Sequence, residues 1–337
     1  LMLAHDTAGK LIATIVEPGR AEVQRAPASS TTAQDRLRAW SQTYPFKYGL
    51  IDPRKRVDVD GNGSRLRRVG DGEFYESMRP FNIPLPQGNR ILVVAEPEVA
   101  QLAFNLVLRP GGDLIGYDTA IGMVPSLTWL EAIRQRTRTS GERRVAWLSD
   151  AADPAELDGM SAVRGMLEPH LDSHRITLDT SNTLPQGLEG AQMAIVTAHG
   201  QLARGDRYFR RIVDEGALKE SPLALAQALA RVELVILFVC SGGRMDRHPS
   251  ASTTVGLPKM LLEQGCRTVI ASPWPLESLA AGPWLEGFLA HWEQGATAMD
   301  ACHEANKRMA ARREGEPQFS LAMTVYGDPL LVRPPGI

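Results

Sequence analysis

The sequence predicts an α/β fold: a mostly parallel sheet flanked by helices on both faces, with an N-terminal hairpin and a helical connection ahead of it. Two apolar runs predict the sheet. Met193-Ala194-Ile195-Val196 and Leu234-Val235-Ile236-Leu237-Phe238 are continuous rather than alternating, the pattern of strands covered on both faces. Each is closed by glycines, and a stretch of helical character lies between them. The same strand–helix order repeats along residues 90–337, which implies crossover connections and therefore parallel strands.

Residues 1–25 read as a hairpin, with Asp6-Thr7-Ala8-Gly9-Lys10 as the turn before a strand at 11–16. Residues 26–89 are a polar, arginine-rich connection carrying Pro45, Pro53, Pro80, Pro84 and Pro86, with helix expected around 33–44 and 72–79. The chain thus divides into a hairpin and helical or loop region, 1–89, and an α/β core, 90–337. In the core, strands are expected at 91–94, 144–148, 193–196, 234–238 and 268–271, with a last one near 321–326. Residues 114–123 read as extended. Helices are expected at 98–108, 126–136, 153–170, 223–230, 255–264, 276–291 and 297–312. Ser126 suits a cap and Pro154 a first turn.

A chain of 337 residues is long enough for a substantial core, and 43% hydrophobic with 23% charged residues is ordinary for a globular protein. The 37 basic and 39 acidic residues leave a net charge of −2, which argues against direct binding of nucleic acid. Three cysteines, an odd number and far apart, point to a reducing, cytoplasmic setting rather than a disulfide framework. No apolar run reaches the roughly 18 to 20 residues of a membrane span. Leu1-Met2-Leu3-Ala4 meets His5 and Asp6 at once, unlike a signal peptide. A first residue that is Leu rather than Met reads as a processed or excised piece, the C-terminal part of a longer protein.

The chemistry sits where the two apolar runs stop. They lead into Thr197-Ala198-His199-Gly200 and Val239-Cys240-Ser241-Gly242-Gly243, at the carboxyl ends of strands, where open α/β sheets bind ligands. A thiol and an imidazole delivered to one rim form a candidate nucleophile–base pair. A free thiol has a pKa of roughly 8.5, so Cys240 needs a base, and His199 is the candidate. The backbone N–H groups of Gly200 and Cys240 are candidate donors to an oxyanion. Gly242-Gly243 permits a sharp turn after the nucleophile. The plain alternative is that Cys240 is a small core residue closing its strand.

Further words place these two in a family context. Arg90-Ile91-Leu92-Val93-Val94, Asp113-Leu114-Ile115-Gly116-Tyr117 leading to Val124-Pro125-Ser126, the run from Val269 to Trp274-Pro275, and Tyr326-Gly327-Asp328-Pro329 occur in order. On these the chain resembles a CHAT domain, a caspase-like member of the cysteine peptidase clan that also holds caspases, separases and gingipains. The resemblance implies His199 as catalytic histidine, Cys240 as nucleophile and Gly200 as the oxyanion glycine, with no cofactor and no metal. It also implies a protein substrate and an N-terminal sensor or helical-repeat module in a prokaryotic signalling or defence protein.

Two departures bear on specificity. Ser241-Gly242 stands where many CHAT domains carry Glu-Thr, and Trp274-Pro275-Leu276-Glu277-Ser278 replaces the usual Trp-Pro-Val-Asp-Asp. Trp274, Leu276, Glu277 and Ser241 are therefore the candidate substrate-binding residues. Glu277 is a lone carboxylate that could pair with Lys or Arg, yet first-turn acids of helices usually face solvent, so an uncharged preference is expected. Two readings from other classes stand beside the peptidase: a catalytically silent docking scaffold, and an unrelated Cys–His acyl hydrolase on a flavodoxin-like sheet.

Other signals are set aside. Asp58-Val59-Asp60-Gly61-Asn62-Gly63 begins like an EF-hand loop, but Val69 stands where the bidentate Glu is required. His170 and His174, four apart, lack further ligands nearby in sequence. Cys302-His303 diverge on a helix, and Cys266 reads as a packing residue. The polar stretch 244–254 reads as a mobile loop.

Overall fold

The computed structural model describes residues 1–7, 10–25, 83–97, 99–100, 102–109, 113–138, 142–148, 154–181, 184–198, 201–202, 209–211, 221–247, 253–273, 280–312, 321 and 323–334. The chain opens with β1 (Met2–His5), β2 (Leu11–Glu17) and β3 (Arg20–Arg25). The core continues with β4 (Arg90–Ala95), β5 (Ala120–Met123), α1 (Leu127–Gln135), β6 (Arg144–Leu148), α2 (Pro154–Ser173), β7 (Thr177–Asp179) and β8 (Met193–Ala198). Next come β9 (Gln201–Leu202), β10 (Phe209–Arg211), α3 (Pro222–Ala228), β11 (Leu234–Val239), β12 (Asp246–Arg247) and β13 (Thr254–Val255). The described elements end with α4 (Leu257–Glu263), β14 (Thr268–Ala271), α5 (Ala281–Trp292), α6 (Ala298–Arg312) and β15 (Thr324–Gly327).

Eleven strands form one sheet in the order β3-β2-β1-β4-β5-β15-β14-β11-β8-β6-β7. Its pairings are parallel except β1–β2, β2–β3 and β14–β15. The expected architecture is therefore observed. β8, β11 and β14 are buried at every position, which is why their sequences do not alternate. Alternate residues nevertheless serve different layers. Val235, Leu237 and Val239 pack with Leu225 and Leu229 around α3 and Leu261 of α4. Leu234, Ile236 and Phe238 face Leu167 of α2, Trp284 and Phe288 of α5, and Ala305 of α6. Helix starts follow their caps: the Ser126 hydroxyl accepts from the Trp129 N–H (3.0 Å), and Ser221 does the same for Ala224 (3.1 Å) ahead of Pro222.

The structure corrects several expectations. The N-terminal hairpin gains a third strand, β3, because Pro18-Gly19 makes a second turn with Gly19 at φ +76°. The helix expected at 98–108 is absent; within the described residues only a 3-10 turn forms at Phe104–Leu106. Residues 102–107 are buried throughout, leaving no polar face for a surface helix. The Asn105 amide instead donates to the Leu321 and Met323 carbonyls, 3.0 Å each. Residues 114–123 include a 3-10 turn (Ile115–Tyr117) before β5. The 244–254 stretch begins and ends in a small ribbon, Asp246 across from Val255 and Arg247 across from Thr254, and residues 248–252 between them lie outside the described residues. The expected helices at 33–44 and 72–79 and the EF-hand-like word lie outside the described residues.

The edge of the sheet opposite the candidate site is held by charge. Glu233, just before β11, is almost fully buried and accepts from Arg267 Nε (2.7 Å), itself buried just before β14. Arg136 and Arg138 approach the same carboxylate at 3.6 and 3.7 Å. Arg267 also donates to the Arg136 carbonyl (3.0 Å), tying the end of α1 to the sheet. The Tyr326-Gly327-Asp328-Pro329 word lies partly at this edge. Gly327 (φ +101°) leaves no room for a Cβ against the Arg267 carbonyl. Asp328 pairs with Arg134 (2.9 Å), and its carbonyl accepts from the Thr268 hydroxyl (2.7 Å). Pro329 fills the space over Gly122 of β5.

Candidate functional site

β8 and β11 run parallel in continuous register, from Leu234 across from Met193 to Val239 across from Ala198. The residues that follow these two final partners in sequence are His199 and Cys240. His199, Gly200, Trp274, Leu276 and Glu277 lie outside the described residues; Cys240 and Ser241 lie within them. Progress across the sheet also reverses beside β8, between it and β6. From β6 the chain steps outward to β7, then returns to β8 and continues the other way through β11 to β14. Such a reversal opens a crevice at the carboxyl ends of the strands.

Cys240 occupies the second position of a tight turn. The Gly242 N–H donates to the Val239 carbonyl (2.9 Å), and Ser241, the third residue, has φ +59°. Positive φ at that position is the type II signature, usually met by Gly or Asn, and Ser241 holds it while 97% buried from solvent. A second turn follows at once, with the Arg244 N–H donating to the Ser241 carbonyl (3.1 Å). Gly243 is where the chain must pass closest to its neighbour: a Cβ there would meet the Ala271 carbonyl oxygen at 2.8 Å. Its N–H donates to the Ser272 carbonyl at 2.7 Å. Its own carbonyl accepts from the Tyr326 hydroxyl, also at 2.7 Å. Burial pushes the Tyr326 phenol above its ordinary range, against a hydrogen bond with Thr324 that lowers it.

Below the turn, Phe238 meets Trp284 edge to face (5.8 Å between centroids, 82°), and Trp284 stacks on Phe288 (5.3 Å). The Trp284 indole N–H donates to Asn306 at 2.8 Å. The strand that carries Cys240 therefore rests on a stiff aromatic floor.

The three cysteines separate cleanly. None is in a disulfide, and only Cys240 is partly exposed. Cys266 donates to the Leu229 carbonyl (3.1 Å), and burial pushes its thiol up to about 12. Complete burial raises the Cys302 thiol further still, and its sulfur contacts the Met323 carbonyl at 3.4 Å. Both are held as thiols in apolar surroundings. His174, weighed as a metal ligand, pairs with Glu293 (2.8 Å) instead. Among the described residues no group of three or more His, Cys, Asp or Glu could hold a metal ion. No helix among them is long and apolar enough to cross a membrane.

A family model described as the CHAT domain matches residues 78–323. The chain belongs to the CHAT domain family. No curated protein matches this CHAT domain by sequence. Among solved structures, the Saccharomyces cerevisiae separase–securin complex aligns with a TM-score of 0.48 at 13% identity, over 75% of this chain and 17% of that one. Gingipain R, an Arg-specific cysteine proteinase, aligns with a TM-score of 0.46 at 11% identity, over 78% of this chain and 68% of that one. A complex of the pro- and mature domains of the Porphyromonas gingivalis gingipain gives 0.44 and 13%, over 78% and 70%. This CHAT domain thus spans under a fifth of the separase chain that it matches.

Nothing in the sequence of this CHAT domain marks Tyr326 as part of the site. Its motif is recognisable in sequence, but the hydroxyl's target is a carbonyl 83 residues away. Only the antiparallel placement of β15 beside β14 shows it.

Proposed function

We propose that this CHAT domain is a cysteine peptidase that cuts a protein partner, with Cys240 as nucleophile and His199 as its base. The observation that carries the reading is the register of β8 and β11, whose final partners, Ala198 and Val239, immediately precede those two residues. Cys240 is also the one cysteine of the chain that combines exposure with a strand-end turn. In the proposed reaction the Cys240 sulfur attacks the scissile carbonyl carbon while His199 accepts the thiol proton. His199 then returns that proton to the departing amine, and water later cleaves the thioester. The N–H groups of Gly200 and Cys240 receive the developing oxyanion. Trp274 and Leu276 line the binding cleft in this reading, with Glu277 facing solvent and the buried Ser241 shaping the turn behind the nucleophile.

The test is labelling with a peptide electrophile, followed by mapping of the modified residue by mass spectrometry. Modification of Cys240 that is lost in His199→Ala supports the dyad. A chain whose Cys240 resists the reagent in both forms is instead a silent docking scaffold.

A further inference from the structure

We propose that Tyr326 is a positioning residue for the nucleophile: by holding the Gly243 carbonyl, its hydroxyl fixes the turn that presents Cys240. The inference rests on the reading of Cys240 as nucleophile. The turn needs an anchor for a reason visible in its own backbone. Ser241 sits in the left-handed region (φ +59°), which L side chains adopt only when their surroundings impose it. The two residues after it are glycines, the most freely varying in conformation. Untied, that sequence would sample many arrangements and carry Cys240 with it.

Both poles of one peptide residue are tied down instead. The Gly243 N–H is held by the Ser272 carbonyl just past β14, and the Gly243 carbonyl is held by Tyr326 of β15, at 2.7 Å in each case. The turn is thus fastened to two strands other than the one that bears it. Tyr326 is 93% buried, and its backbone pairs with Val269 and Met123 inside the sheet. A hydroxyl mounted on so rigid a base can hold a loop where a surface side chain could not.

The test compares the parent chain with Tyr326→Phe, which keeps the ring and removes only the donor. Iodoacetamide is the probe: the Cys240 sulfur displaces iodide, the thiol proton passes to solvent, and the modified peptide is quantified by mass spectrometry across pH. In the parent, the midpoint of the alkylation profile should lie below the ordinary thiol value of roughly 8.5. Tyr326→Phe should raise that midpoint and slow alkylation at neutral pH roughly tenfold. Hydrogen exchange at Gly242 and Gly243 should quicken while β11 stays protected.

A lower melting temperature with an unchanged midpoint would make Tyr326 merely structural and overturn the inference alone. An ordinary midpoint in the parent would overturn this inference, and a Cys240 left unmodified by the reagent across the pH range would overturn the peptidase reading with it. A second measurement needs no variant. Gly242 and Gly243 amides that exchange in the parent as fast as an open loop would also overturn it.

Discussion

Ala198 stands directly across from Val239 as the last partner pair of the β8–β11 ladder. The next residue in sequence after each of them is the proposed base or nucleophile, and both partners are buried in the sheet. Cys240→Ala and His199→Ala should each abolish cleavage of the cognate protein while leaving the far-ultraviolet circular dichroism spectrum unchanged. Cys266→Ala and Cys302→Ala should keep cleavage within a few-fold of the parent, because both thiols are buried in the core. Retained cleavage in Cys240→Ala would remove the dyad.

The conformation of Ser241 has an energetic signature. A non-glycine residue in the left-handed region costs about 1 to 2 kcal/mol, and a β-branched one costs more. Ser241→Gly should leave the urea midpoint unchanged or higher. Ser241→Val should lower stability by about 2 kcal/mol or more. Equal midpoints for the two variants would mean that this backbone is relaxed.

At the opposite edge, Glu233 is surrounded by the guanidinium groups of Arg267, Arg136 and Arg138. Removing one partner of a buried pair leaves the other charge uncompensated, at a cost of about 3 to 5 kcal/mol. Glu233→Ala should therefore shift urea unfolding by that amount. The alkylation rate of Cys240 in the folded fraction should stay the same, since the cluster lies at the far ends of the strands.

Glu293 links the end of α5 to Arg144 and His174, at 2.8 Å each, with Arg333 at 3.7 Å. Burial alone would raise its pKa, but the hydrogen bonds from Arg144 and His174 outweigh it and hold the carboxyl below 4.5. A carboxyl lowered on folding contributes stability that is complete above its unfolded pKa and is lost as pH falls through the folded one. The melting-temperature gap between the parent and Glu293→Gln should be widest above about pH 5 and close as the pH falls below about 4. A gap that persists at low pH would show that the carboxylate charge is not what matters.

For specificity, a peptide library offered to the active enzyme should show an uncharged preference at the residue before the scissile bond. A dominant Arg or Lys preference, abolished by Glu277→Gln, would show that Glu277 lines the cleft rather than facing solvent.

The central strands were legible because burial on both faces leaves a continuous apolar run, which is unambiguous at Met193–Ala198 and Leu234–Val239. The site inherited that legibility: a thiol immediately after such a run can only sit at a strand end. The residues around Phe104 were not legible, since a short apolar segment is as compatible with helix as with a buried irregular stretch, and the role of Asn105 depends on carbonyls more than 200 residues away. β3 and the β12–β13 ribbon are exposed or short, and pairing of that kind is set by turns rather than by periodicity. The closing Tyr-Gly-Asp-Pro word was visible as a motif, but its partners Gly243, Arg267, Arg134 and Gly122 come from four separate parts of the chain.

β15 joins β14 on one side and β5 on the other, and it supplies the hydroxyl that closes the turn at Gly243. During synthesis on the ribosome, a nascent chain that has not reached residue 327 lacks the strand that completes the hydrogen-bonded ladder between β5 and β14. It also has an unfastened loop at its thiol. Contacts spanning some 200 residues are among the last to form. On the proposed peptidase reading, the nucleophile's turn is fastened only at the final stage of the chain's own assembly.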